Sequence, residues 1–350
     1  MTEKMKNPEV KQVNPASQHT DKERIYLFDN IKFILIILVV VGHFANVFCD
    51  RYPSFKSVYL FIYIFHMPLF IFISGMFHRN NNIKEKVLMF FFLGYSEKLL
   101  RFLVSIIGNK KNPNMDVFED NGLPWFMFCM AAFILITYLA RGINKKYLLC
   151  FSIVLMLAAG YDKEIGDFLY LSRIFVFYPY YILGTMTSPE MIMKINKNKI
   201  FKFGSIIVFI LAAVACFRLL DTSYALRQFY TGCHPYPKNH YLTGPLIRIF
   251  CYITSFLMFI PFFAFVPAKK IPVVSEFGKR TLQVYYWSDL VRLPLINLYK
   301  SQLLIFTATF LGKAVYLILS AVLALILLTK PFGIIVNQIR NMENIKIKKD

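Results

Sequence analysis

The chain has 350 residues, 57% of them hydrophobic and 17% aromatic, and carries a net charge of +20. That apolar share exceeds ordinary globular usage and places the chain among polytopic helical membrane proteins. Its apolar runs are continuous rather than alternating, which excludes a β-barrel. Its basic residues sit mostly in short connectors, which excludes a folded nucleic-acid-binding surface.

Residues 1–24 read as a polar, proline-bearing disordered tail without the apolar core of a cleavable signal peptide, so the first span itself must direct insertion. Ten apolar segments follow, near residues 31–49, 58–77, 88–107, 123–140, 147–160, 169–187, 202–220, 244–266, 281–299 and 303–329. The fifth is short enough to be re-entrant or buried instead, and charge bias arbitrates. With ten spans and a cytoplasmic N-terminus, the inside pieces hold 23 Lys and Arg and the outside pieces 8, as the positive-inside rule requires. Dropping the fifth span reverses every later loop. The expectation is therefore an all-α transmembrane bundle of about ten spans over residues 25–335, with a basic cytoplasmic tail at 336–350. No repeat or second domain is visible.

In the first span, Lys32 and His43 stand eleven positions apart. Eleven steps of about 100° leave about 20° of rotation, so the two share a face, about 16 Å apart along the axis. His43, about twelve residues into the segment, is expected near the bilayer centre. Ionisable groups at that depth are costly and usually mark function, although a buried imidazole can simply bond a neighbouring helix. A basic anchor at the surface with an imidazole below it suits a long anionic ligand whose reactive end is buried. Lys32 could equally snorkel to the cytoplasm.

His66 lies within the second span, beside a predicted kink at Pro68, and could support the site from there. Ser74 and Gly75 read as residues that let helices approach closely. Lys98 and Arg101 project from one face of the third span and could bind phosphate, or Glu97 could pair with Arg101 at i, i+4. Trp125 reads as an interface aromatic or a stacking platform. Arg173, Arg218, Arg248 and the Asp289–Arg292 pair form an outer set able to hold an anionic acceptor; outward snorkelling would equally explain Arg218 and Arg248. The loop CHPYPKNHY, with Cys233, His234 and His240, reads as structured rather than metal-binding. The six cysteines show no metal-like spacing, and a Cys49–Cys233 bridge is conceivable but not required.

Several motifs together resemble the acyltransferase-3 family of membrane proteins, especially its branch similar to fucose 4-O-acetylase. They are Asp29 with Lys32, the K-x10-H spacing ending at His43, HMPLFIFISG at 66–75, and KLLR at 98–101. LPWF at 123–126, SRIFVFYPYYILG at 172–184 and FGKRTLQVYY at 277–286 complete the set. The resemblance implies a transferase of the inner membrane with both termini cytoplasmic. Its donor would be acyl-CoA, most simply acetyl-CoA, its acceptor a carbohydrate hydroxyl, and no cofactor or metal would be bound. His43 would be the general base, since a neutral imidazole can take the hydroxyl proton; direct transfer and an acyl-histidine both stay open. Lys32, Lys98 and Arg101 would contact the CoA phosphates from the cytoplasmic side, with Asp29, His66, Trp125, Arg173 and Asp289 in support. Family members often carry a histidine in the ninth span where this chain has Trp287 and Ser288, which leaves Asp289 as the nearest titratable group. The rival reading is a glycolipid transporter or flippase, although the paired broken repeats of many transporters are absent.

Overall fold

The computed structural model describes residues 24–108, 115–119, 122–166 and 168–341. The predicted tail therefore lies outside the described residues up to Arg24, as does the end of the basic tail. Among the described residues every regular element is helical, and a single isolated β-bridge joins Glu119 to Phe168.

In chain order the α-helices are α1 (Tyr26–Asn46), α2 (Pro53–Tyr63), α3 (His66–Met76), α4 (Ile83–Ile107), α5 (Trp125–Leu139), α6 (Lys145–Ala158), α7 (Leu171–Met186) and α8 (Pro189–Lys197). They continue with α9 (Lys199–Phe217), the short α10 (Leu220–Ser223) and α11 (Arg227–Thr231), then α12 (Gly244–Phe265), α13 (Pro272–Phe277), α14 (Thr281–Phe306), α15 (Phe310–Leu327) and α16 (Gly333–Asn341). Each predicted apolar segment is helical. Five stretches are long and apolar enough to cross a membrane: Tyr26–Asn46, Pro53–Met76 taken through its break, Lys199–Phe217, Gly244–Phe265 and Phe310–Leu327. The chain is thus a helical membrane protein.

Burial separates centre from periphery. The Pro53–Met76 stretch is 78% buried and α9 only 11%, so α2 and α3 run through the middle while α9 turns its apolar surface outward to lipid. Helix α3 packs tightly on α7. A Cβ added at Gly75 would collide with the Tyr181 carbonyl, and one at Gly184 with the Phe72 carbonyl, so Gly75 does permit close helix approach.

Two segment boundaries differ from expectation. Helix α14 runs on to Phe306, interrupted only by a non-helical Tyr299, and the last long helix begins at Phe310 rather than 303. Thr309 sets that start, because its hydroxyl accepts the Gly312 N–H at 3.0 Å as an N-cap. Residues 336–341, expected as tail, belong to α16.

The bundle has two ends. Phe28 near the start of α1 meets Phe77 at the end of α3, rings 5.1 Å apart, so both mark one end, called here the Lys32 end. The loops after α1, α4 and α11 lie at the other.

Candidate active site

Because α1 is helical from Tyr26, His43 falls in its last turn, about 26 Å from the helix start. It therefore lies nearer the loop end than the bilayer centre expected from the sequence. Lys32 stays in the first turns, where its ammonium is 3.0 Å from Asp29 Oδ1. Asp29 also accepts from Arg24 Nε at 2.6 Å. Asp29 is thus a clamp that fixes Lys32 and Arg24 beside each other.

The second segment is broken, and the break explains where His66 sits. Pro68 has no N–H to give the Ile64 carbonyl one turn earlier. Helix α2 accordingly ends at Tyr63, α3 starts at His66, and Ser255 Oγ of α12 donates to the freed Ile64 carbonyl at 2.5 Å. The kink predicted at Pro68 is displaced to the preceding turn. His66 Nδ1 lies 2.9 Å from the Ile62 carbonyl, a contact that only a protonated Nδ1 can make, which leaves Nε2 with its lone pair. His43 Nδ1 lies 3.3 Å from Tyr63 Oη, and the Tyr63 ring stands between the two imidazoles, 6.1 Å from His43 and 4.6 Å from His66.

His43 and His66 line a cavity of about 230 Å³ together with Trp125, Arg173 and Asp289. Five helices, α1, α3, α5, α7 and α14, thus bring five of the expected residues together. The same wall contains Tyr59, Tyr63, Arg227, His234, Tyr285 and Arg292. Of these, Arg227 had no signal in the sequence, because it lies on the one-turn helix α11 in a loop without hydrophobic period. Trp125 stacks on Phe177 at 5.3 Å, and the Arg173 guanidinium lies 4.5 Å from the Trp125 ring. A side-chain hydrogen bond with Cys233 raises His234 above the usual imidazole pKa, against the effect of its burial. None of the six cysteines forms a disulfide among the described residues, so Cys49 and Cys233 are not bridged.

Asp289 accepts from Arg292 Nε at 2.9 Å and forms an ion pair with Arg101 of α4. The pair expected within α14 is therefore a three-member link between α14 and α4. Arg101 reaches it by lying across Gly122, whose φ of +92° and bare Cα leave room that a side chain would fill. Glu97 is fully buried, and both its carboxylate oxygens are without a hydrogen-bond partner among the described residues.

Lys98 does not face the Lys32 end. Its ammonium donates to the carbonyls of Asp116, Val117 and Glu119 at 2.7, 3.1 and 2.8 Å and lies 5.0 Å from the Tyr170 ring. Those contacts use its donors at the loop end, so the expected contact of Lys98 and Arg101 with donor phosphates at the Lys32 end does not fit where these side chains are. Of the outer set, Arg218 is exposed. Arg248 is buried, donating to the Met156 and His234 carbonyls at 2.8 and 3.3 Å, and neither lines the cavity. At the missing ninth-span imidazole, Trp287 turns away to donate to the Phe332 carbonyl at 2.8 Å.

A second cavity of about 170 Å³ starts at Lys32 and is lined by Ile36, Phe70, Ser74, Phe126 and Thr281. Met67 and Tyr285 line both cavities. Two residues thus separate a space reaching Lys32 from a space reaching His43.

Residues 25–329 match the family profile described as an acyltransferase domain, the acyltransferase-3 type. The chain belongs to that family. It carries that family's acyltransferase domain, as the motifs from Asp29 to Tyr286 implied. Nodulation protein NolL of Sinorhizobium fredii (strain NBRC 101917 / NGR234) is 26% identical over 231 residues, 55% of this chain and 56% of that protein. The chain therefore spans about half the length of that curated relative. No solved structure matches.

Proposed function

We propose that this acyltransferase moves an acetyl group from acetyl-CoA to a hydroxyl of a cell-surface or lipid-linked carbohydrate, with His43 as general base. The observation that carries this reading is the pair of cavities meeting at Met67 and Tyr285. A long donor enters at Lys32, which contacts its phosphate end, and threads its thioester past Met67. The acceptor enters from the loop end. In the ten-span arrangement favoured by the charge count, with both termini cytoplasmic and the protein in the inner membrane, these two ends face cytoplasm and exterior.

With Nδ1 protonated and donating to Tyr63 Oη, His43 keeps the Nε2 lone pair for the acceptor. Nε2 takes the hydroxyl proton as the sugar oxygen attacks the thioester carbonyl. The tetrahedral intermediate then expels the CoA sulfur, and the imidazolium returns its proton to that thiolate. Lys98 and Arg101 are reassigned to the scaffold, holding the loop at 116–119 and Asp289 respectively.

The test is His43→Ala in purified protein, with CoA thiol release and acetyl ester measured on a glycan acceptor. Loss of a general base costs about 10²–10⁴ in rate; near-normal turnover by the folded variant would refute the assignment. Mass spectrometry of surface glycans from cells with and without the gene separates the transporter reading. Loss of acetyl ester supports the enzyme, and loss of whole glycan supports a flippase.

A further inference from the structure

The cavity at His43 holds more positive charge than a neutral sugar requires. Arg173 of α7, Arg227 of α11 and Arg292 of α14 all line it, against one carboxylate among the described residues, that of Asp289. That carboxylate already serves Arg292 and Arg101. The remaining imbalance is not explained by snorkelling, because the three arginines line one cavity from three separate elements. Arg248 shows the other solution: it sits outside the cavity and donates to backbone carbonyls. Arg227 is held differently: its side chain hydrogen-bonds that of Tyr59 and its guanidinium lies 5.1 Å from that ring's centroid, while its Nε, like that of Arg248, is buried without a hydrogen-bond partner among the described residues. Converged cations in a low-dielectric wall are costly unless an anion joins them.

The remaining walls suit a sugar. Tyr59 and Tyr63 stack at 3.8 Å, and Trp125 stacks on Phe177, so flat aromatic surfaces flank the charges. A cavity of about 230 Å³ has the liquid volume of about eight waters, which admits one sugar ring with a small substituent. Planar guanidinium forks match carboxylate and phosphate oxygens in pairs.

Building on the acetyl-transfer reading above, we infer that the acceptor is acidic. A carboxylate or phosphate on or next to the acetylated sugar sits among Arg173, Arg227 and Arg292, and this seat turns the reacting hydroxyl toward His43. The two sources of such a group are a sugar acid and the diphosphate of a polyprenyl-linked saccharide. The donor's own phosphates are the competing occupant, although they belong with Lys32 at the other cavity.

The experiment uses the full-length protein in lipid nanodiscs with acetyl-CoA and three matched acceptors: a neutral oligosaccharide, the same oligosaccharide with one uronic acid, and the neutral sugar on a polyprenyl diphosphate. The expected result is kcat/KM at least about 10-fold higher for one charged acceptor than for the neutral one, and which of the two responds identifies the source. Arg227→Gln should raise KM for that acceptor by about 10- to 100-fold, the value of one hydrogen bond to a charged group, and Arg227→Lys should restore part of the loss. Equal kcat/KM for all three acceptors would overturn the inference while leaving acetyl transfer intact. A rise in acetyl-CoA KM with no change in acceptor KM would overturn it in favour of the donor phosphates. Absence of thiol release with every acceptor would instead refute the acetyl-transfer reading, and the inference with it.

Discussion

Replacing Lys98 by methionine separates a donor-binding lysine from a structural one. The side chain is 6% exposed, and its ammonium supplies three hydrogen bonds to carbonyls within the 116–119 loop. Bonds from a charged donor are worth about 1.5–3 kcal/mol each, though not additively. Methionine keeps the packing against Phe128 and Tyr170 but leaves those acceptors without the cation. We expect a loss of about 3–5 kcal/mol, the usual range when one partner of a buried charged contact is removed. Unfolding of the detergent-solubilised variant, followed by tryptophan fluorescence, should show this as a lower transition midpoint. The acyl-CoA KM of the surviving folded fraction should change less than about 2-fold, well below the tenfold step that corresponds to 1.4 kcal/mol. Lys32→Ala is the control in the opposite direction: its cation sits at the mouth of the second cavity, so donor KM should rise about 10-fold with little loss of stability. Normal stability of Lys98→Met together with a tenfold rise in acyl-CoA KM would refute the reassignment and return Lys98 to the donor.

Asp289→Asn removes the charge shared by Arg101 and Arg292 and should cost about 3–5 kcal/mol. The loss should appear as reduced folded yield in size-exclusion chromatography, larger than any loss of turnover per folded molecule. A normally folded variant as inactive as His43→Ala would instead place the aspartate in the chemistry. Gly75→Leu should abolish folded protein, because its side chain would need the space of the Tyr181 carbonyl, whereas Ser74→Ala should be tolerated, since among the described residues that hydroxyl bonds only the Phe70 carbonyl one turn back at 2.8 Å. Reporter fusions should place residues 115 and 232 outside and residues 144 and 350 inside; finding 144 and 232 on one side would rule out the ten-span topology.

What could be read from the sequence was set by the range over which each signal acts. The shared face of Lys32 and His43 follows from helix periodicity alone and survives in the structure, because α1 is unbroken between them. The family motifs were equally local, each confined to a run of at most thirteen consecutive residues. Partners were harder. Glu97 and Arg101 have the spacing of an ion pair, yet Arg101 chooses Asp289, 188 positions away, since crossing Gly122 brings that carboxylate within reach. Lys98 looked like a phosphate ligand because its acceptors are backbone carbonyls, and a carbonyl has no residue identity to be recognised. Arg227 was missed for the complementary reason: its loop carries no period, and only the fold brings it opposite His43. The break before His66 joins the two kinds of signal. Pro68 announces that some carbonyl must lose its N–H partner, but only packing shows that Ser255, 191 residues beyond the Ile64 carbonyl, supplies the replacement. That replacement lets a helix end inside the bundle without an unsatisfied carbonyl, a condition that apolar surroundings impose strictly. It also turns a sequence feature that looks like a defect in the second span into the element that puts a second imidazole in the cavity wall.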